Sequence, residues 1–220
     1  MAEVNGAVVV AALILVAKRV EDEKDYLCEL DGEVGDGDHG VSMTIGMRAV
    51  SRAVKELPSD TTPGEAFQAA ADAFADEVGA TIGPLYEAAF AAAAKSAGVK
   101  LTISEISDWA QIYGAMVHAI QQLGKAERGD KTILDSFFPA VDYLKSIADV
   151  EKDLGEALTE TAQTSLAAAI STKALVALKG RAARLGDRTI GHQDAGATSL
   201  AIILKAFADA ISEAGITEKL

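Results

Sequence analysis

Thr62-Pro63-Gly64-Glu65-Ala66-Phe67-Gln68-Ala69-Ala70-Ala71-Asp72-Ala73-Phe74 decides how the chain folds. Thr62 and Glu65 have the spacing of a capping box, in which each side chain satisfies the other residue's backbone N–H. Pro63 takes the first helical position, where a missing N–H costs nothing. Beyond it Phe67, Ala70, Ala71, Phe74 and Val78 recur every three or four residues, one face of a helix that must be buried. Working outward, the same period returns in Trp109, Ile112, Tyr113, Met116 and Ile120, and again in Leu200, Ile203, Leu204, Phe207 and Ile211. Gly98, Gly124, Gly180 and Gly215 stand where helix stops are expected. No stretch alternates with period two, and no linker rich in Pro, Gly or Ser divides the chain. We expect an all-α fold, one domain over 1–220, built of about seven to nine helices of ordinary length.

Composition agrees. Half of the 220 residues are apolar but only 5% are aromatic, a mixture that favours closely packed alanine-rich helices over strands. Twenty basic against 33 acidic residues give a formal net charge of −13, which repels a phosphate backbone and argues against nucleic acid. A nucleotide held through Mg²⁺ is still allowed, because the ion inverts the local sign. The apolar run Ala7–Ala17 is too short to span a bilayer and has no basic leader, so it reads as a buried first helix. The one cysteine, Cys28, cannot make an internal disulfide; it reads as a core thiol in a cytoplasmic protein.

Four polar, glycine-containing loops interrupt the helical texture: Gly35–Gly40, Gly79–Gly83, Gly124–Lys131 and Gly186–Gly196. Alternate loops of an antiparallel bundle converge at one end, so these four predict one composite site. The first carries the strongest signal. Asp31-Gly32-Glu33-Val34-Gly35-Asp36-Gly37-Asp38-His39-Gly40 crowds carboxylates between glycines, and they repel unless a cation holds them. Hard oxygen donors suit Mg²⁺ or Ca²⁺ rather than zinc. A calcium EF-hand fails on register: from Asp31 the fifth position is Gly35 and the twelfth Ser42, and from Asp36 the twelfth is Met47. Mg²⁺ needs few carboxylates and completes its shell with phosphate and water. Asp31, Asp36 and Asp38 could bridge two such ions across a polyphosphate.

Gly124-Lys-Ala-Glu-Arg-Gly129-Asp130-Lys131-Thr132 nearly spells a P-loop, but Asp130 intrudes before the lysine and a helical segment precedes it where a strand belongs. The segment from Arg181 to Thr198 mixes arginines with a glycine-rich turn into a helix. It suits an anion at the helix end or an ordinary capped connection, and the pattern leaves both open. His39 and His192 lie in these loops; His118 falls off the buried face and reads as structural or surface.

Four ordered motifs together resemble the L subunit of the dihydroxyacetone kinases across essentially the whole chain. They are Leu30-Asp31…Gly35-Asp36-Gly37-Asp38-His39-Gly40, Gly83-Pro84-Leu85-Tyr86, Gly129-Asp130-Lys131-Thr132 and Gly191-His192-Gln193-Asp194. The resemblance implies a barrel of eight antiparallel helices with ADP or ATP at one open end. It implies that Asp31, Asp36 and Asp38 bind two Mg²⁺ ions that bridge the phosphates. The nucleotide contacts it implies are His39, Gly40, Val41, Ser42, Thr81, Ile82, Gly124, Ile133, Arg181, Asp194, Ala195 and Gly196, with Arg181 also a phosphate-stabilising catalytic group. The keto sugar acceptor would be held covalently on a separate K subunit. The donor would be ATP, or a phosphocarrier protein of the phosphotransferase system that recharges bound ADP. A homodimer is allowed. The same resemblance admits a kinase for another short sugar such as erythrulose, or an ADP-holding module that docks on a regulator. Val41-Ser42 stand where the family usually has Thr-Asn, Ile82 where it has Ser, and Ala195 where it has Pro.

Overall fold

The computed structural model describes residues 3–79 and 81–217; Ala80, inside the second glycine loop, lies outside them. Among the described residues there are nine α-helices: α1 (Gly6–Asp22), α2 (Lys24–Val34), α3 (His39–Lys55), α4 (Pro63–Glu77), α5 (Ile82–Ala97), α6 (Ile106–Gly124), α7 (Leu134–Ser146), α8 (Leu154–Ser171) and α9 (Ala195–Thr217). Short 3-10 turns at Thr172–Ala174 and Ala182–Thr189 interrupt the long connection between α8 and α9.

The helices begin where their caps dictate. Asn5 accepts the Val8 N–H at 3.0 Å to open α1, and the Thr62–Glu65 capping box opens α4 with Pro63 in its first turn. Asp153 accepts the Glu156 N–H at 3.2 Å to open α8. Each cap satisfies an amide that the helix itself cannot.

Each of α1, α3, α4, α5, α6, α7, α8 and α9 packs on the next in that order, and α9 returns to α1. Eight helices therefore close a barrel. The ninth, α2, lies outside the ring against α3 and α9. The three apolar faces marked in the sequence, those of α4, α6 and α9, are buried in the interior. Trp109 meets Tyr113 and Phe207 edge-on, while Phe74 stacks on Tyr86 with ring centroids 4.9 Å apart. Phe74 is fully buried, so Phe74→Ala would cost about 3–5 kcal/mol through the cavity it leaves. By length and composition α9 could cross a membrane over Ala195–Gly215, but 72% of that window is buried inside the barrel.

Four expectations change. A two-residue antiparallel bridge pairs β1 (Val4–Asn5) with β2 (Thr102–Ile103), too short to leave a period in the sequence. Gly98 does cap α5 with φ 59°, but Gly124 is still helical and Lys125 takes the left-handed position after it. Gly215 lies inside α9 and Gly180 in the α8–α9 connection, so neither stops a helix. Cys28 is half-buried rather than in the core, because α2 packs from outside the ring.

Candidate functional site

Each carboxylate of the acidic motif is placed by α2 or by the turn behind it. Asp31 lies in the last turn of α2 and not in a loop, as the glycine-rich text suggested: the Gly35 N–H closes that turn on the Asp31 carbonyl at 2.5 Å. Gly37, at φ 75°, then carries the chain between Asp36 and Asp38 through a region that a Cβ disfavours. The Asp38 N–H donates to Asp31 Oδ2 at 3.0 Å and fixes the two residues together. One oxygen from each of Asp31, Asp36 and Asp38 lies within 4.8 Å of the others. Arg181 offsets part of this charge, paired with Asp36 and 3.6 Å from Asp38 Oδ2. Behind it the His192 imidazole lies 2.9 Å from Glu33. Three accessible carboxylates beside a cationic side chain are a donor set that fits Mg²⁺ and the phosphates it would carry.

The position of α2 depends on Gly40. A Cβ there would lie 2.0 Å from the Lys24 carbonyl oxygen and 2.9 Å from Cys28 Sγ, so only glycine lets α3 approach α2 this closely. Asp38 stands at the N-cap of α3 without a side-chain capping bond. The first intrahelical bond runs from Ser42 N–H to Asp38 O at 2.9 Å. The amides of His39, Gly40 and Val41 thus precede the ladder, at the positive end of a 17-residue helix beside the aspartates.

His39 opens α3 with its ring buried, and Nε2 lies 2.9 Å from Ser199 Oγ. The Ser199 hydroxyl donates to the Gly196 carbonyl at 3.0 Å, which uses its only proton. His39 Nε2–H must then donate to Ser199, and so must the Tyr86 hydroxyl 3.4 Å away. Burial pushes the His39 pKa down to about 4 against a smaller upward pull from Asp31, so the ring is neutral at pH 7. Burial likewise pushes the Tyr86 phenol up and keeps it a donor.

At the turn into α9, Asp194 Oδ2 accepts the Ala197 N–H at 2.7 Å and so caps the start of the helix. Part of Asp194 opens onto the cavity, yet protein surrounds the carboxyl, and this desolvation pushes its pKa up to about 6 despite the Ala197 bond.

These elements surround one cavity of about 320 Å³, into which all four glycine loops project. Asp31, Asp36, Asp38, His39, Ser42, Thr81, Ile82, Gly124, Ile133, Arg181, Asp194, Ala195 and Gly196 line it. Gly40 and Val41 do not. Gly40 is buried against α2 and the Val41 side chain is exposed, so these two can offer only backbone amides. Away from the carboxylates the wall is apolar, formed by Ile82, Leu85, Ile120, Ala126, Ile133 and Leu134, a surface suited to a planar base. Sequence reading assigned no role to Tyr86 or Ser199, and to Lys131 only a place in a basic loop that could line a nucleotide. Tyr86 and Lys131 lie in motifs that could have flagged them; Ser199 had no signal. His118 is exposed and bonded to Gln122, away from the site.

The DAK2 domain matches residues 33–209. The chain is 36% identical over 195 residues to the ADP-binding subunit DhaL of the PEP-dependent dihydroxyacetone kinase of Escherichia coli K12, covering 87% of this chain and 90% of that protein. It is 34% identical over 200 residues to the DhaL subunit of dihydroxyacetone kinase 2 of Listeria innocua, covering 89% and 90%. The fold matches the dihydroxyacetone kinase of C. freundii solved with AMP-PNP and Mg²⁺ at TM-score 0.67 and 24% identity, over 92% of this chain but only 34% of that longer one. The chain belongs to the DAK2-domain family, among the DhaL subunits of the dihydroxyacetone kinases.

Proposed function

We propose that the chain, as one domain over 1–220, is the nucleotide-holding component of a two-part dihydroxyacetone kinase. It carries ADP or ATP at the open end of the barrel and passes a phosphoryl group to a keto sugar held on a separate K subunit. The observation that carries this reading is the trio Asp31, Asp36 and Asp38, gathered within 4.8 Å on the wall of a mostly apolar cavity. The names of its relatives, ADP-binding subunits of PEP-dependent kinases, support ADP as the resident nucleotide and a phosphocarrier as the donor that recharges it. On this reading the chain acts in the cytoplasm.

Phosphoryl transfer asks a protein mainly for positioning and for neutralising charge. Asp31, Asp36 and Asp38 would hold two Mg²⁺ ions, which supply charge neutralisation and orientation of the phosphates when bound. The free amides of His39, Gly40 and Val41 can donate to phosphate oxygens at the α3 N-terminus. The Arg181 guanidinium adds a planar pair of donors on the same side. Ile82, Leu85, Ile120 and Ile133 form the apolar wall that would take the base and keep water from it. Neutral His39, tied to Ser199, holds the start of α3 in place beside the carboxylates.

The test mixes the protein with a K-type subunit, dihydroxyacetone and either ATP or the phosphocarrier system. Asp36→Asn or Asp38→Asn should abolish sugar phosphate formation while the helical circular dichroism stays unchanged. Activity retained in either variant would sink the reading.

A further inference from the structure

Lys131 ends in a charged ammonium yet is only 3% exposed, and its backbone sits at φ 59°, where a side-chain residue is strained. Burying a cation is costly, and pairing with a carboxylate normally offsets that cost. Lys131 borders the cavity, and among the described residues no acid pairs with it directly, the Asp194 carboxylate acting on it from farther off. Its Nζ instead donates to two backbone carbonyls, those of Leu175, at 3.1 Å, and Thr189.

Those carbonyls stand at the two ends of the segment that carries Arg181. Between them the chain leaves the barrel, runs past the cavity at Lys179, Gly180 and Arg181, and returns. Other bonds close the same neck. The Gly191 N–H donates to Lys173 O at 2.7 Å, and buried Thr189 Oγ1 accepts the Ala177 N–H at 2.9 Å. The Thr189 hydroxyl also donates to Gly186 O at 2.8 Å, and the Leu178 N–H reaches Asp130 O at 3.0 Å. Lys131 is the one side chain in this set that grips both sides of the neck from another element. The tip of the loop then sets Arg181 on Asp36, with Asp38 3.6 Å away.

We propose that Lys131 is a positioning residue: it stitches the neck of the 175–189 loop and acts on bound nucleotide only through the Arg181 that this loop presents. The proposal rests on the nucleotide reading above. It differs from the P-loop role that the neighbouring glycines imitate, in which the lysine would touch phosphate directly. The Leu175 carbonyl is half-buried and the Thr189 carbonyl buried; loss of the ammonium takes the side-chain donor from both, leaves Thr189 only the His192 N–H at 3.4 Å, and frees the neck to open.

The experiment uses the full-length protein stripped with EDTA and titrated calorimetrically with ADP and with AMP in the presence of Mg²⁺. Lys131→Met should lower ADP affinity by about tenfold or more, the size of one lost charge-assisted contact, and leave AMP affinity nearly unchanged. Arg181→Ala should do the same, and the double variant should be no weaker than Arg181→Ala alone. In parallel, trypsin should nick the Lys131→Met protein after Lys179, Arg181, Arg184 or Arg188 at least about tenfold faster than wild type, as a neck that opens more often predicts. Thr189→Val, which keeps Lys131 and removes the neck hydroxyl, should shift both readouts in the same direction by less, and carries the test if Lys131→Met does not fold. Losses that multiply in the double variant would mean that Lys131 meets the nucleotide itself and would overturn the proposal. So would unchanged ADP affinity or unchanged trypsin cleavage. A wild-type protein that binds no ADP would instead overturn the nucleotide reading, and the role of Arg181 with it.

Discussion

Ser199 Oγ, on α9, accepts the buried Nε2–H of His39, the first residue of α3, across 2.9 Å. The two lie 160 positions apart in the chain, and this bond joins the helix that follows the acidic turn to the helix that closes the barrel. Tyr86 of α5 converges on the same oxygen. Ser199→Ala would leave both donors without a partner at a buried position, at a cost of about 1–3 kcal/mol. Urea unfolding of the metal-free protein checks this, and a stability unchanged within 0.5 kcal/mol (about the scatter of surface substitutions) would contradict the assigned network.

Gly40→Ala tests the contact between α2 and α3. The added methyl would meet the Lys24 carbonyl, a backbone atom that cannot swing aside. We expect a loss of about 1–3 kcal/mol from overpacking, and a larger proportional loss of Mg²⁺-dependent ADP binding because Asp31 moves with α2. Thermal melts and calorimetry on one preparation separate the two effects. Normal ADP binding in this variant would show that α2 need not be held this close.

The helices were legible because their signals are local. The Thr62 capping box and the apolar stripe from Phe67 to Phe74 need no information from elsewhere in the chain, and α4 forms where they say. The acidic motif was legible as chemistry but not as geometry: its glycines read as one loop, whereas Asp31 completes a helical turn. The β1–β2 bridge, the Ser199–His39 bond and the Lys131 stitch were out of reach because each joins residues far apart in sequence. Asp194 shows a third kind of limit. The pattern allowed it to cap α9, and only the folded chain shows its bond to the Ala197 amide.

Asp194 gives a pH test. Its folded-state pKa of about 6 lies above the ordinary 3.8, because burial disfavours the charge. The folded state therefore holds this proton more tightly than the unfolded chain. The resulting stability is fully present below pH 3.8 and is lost as pH rises through about 6. Asp194→Asn lacks the titration and can still accept from Ala197. In EDTA, wild-type stability minus variant stability should fall between pH 4 and pH 7 by on the order of 2 kcal/mol. Parallel stability curves would contradict the assignment.

Asp36 and Asp38 are exposed and repel each other and Asp31, so the fold is expected to gain little from them. Asp38→Asn should change unfolding stability by no more than about 0.5 kcal/mol and yet remove the Mg²⁺ dependence of ADP binding. Destabilisation well beyond that would assign the residue a structural role.

The most direct measurement is the nucleotide carried by the freshly purified protein, denatured and chromatographed before and after EDTA treatment. We predict ADP or ATP in the untreated protein, its loss on chelation, and its return when Mg²⁺ and ADP are added together. Nucleotide that stays through chelation, or none taken up even with Mg²⁺, would contradict a site built on Asp31, Asp36 and Asp38.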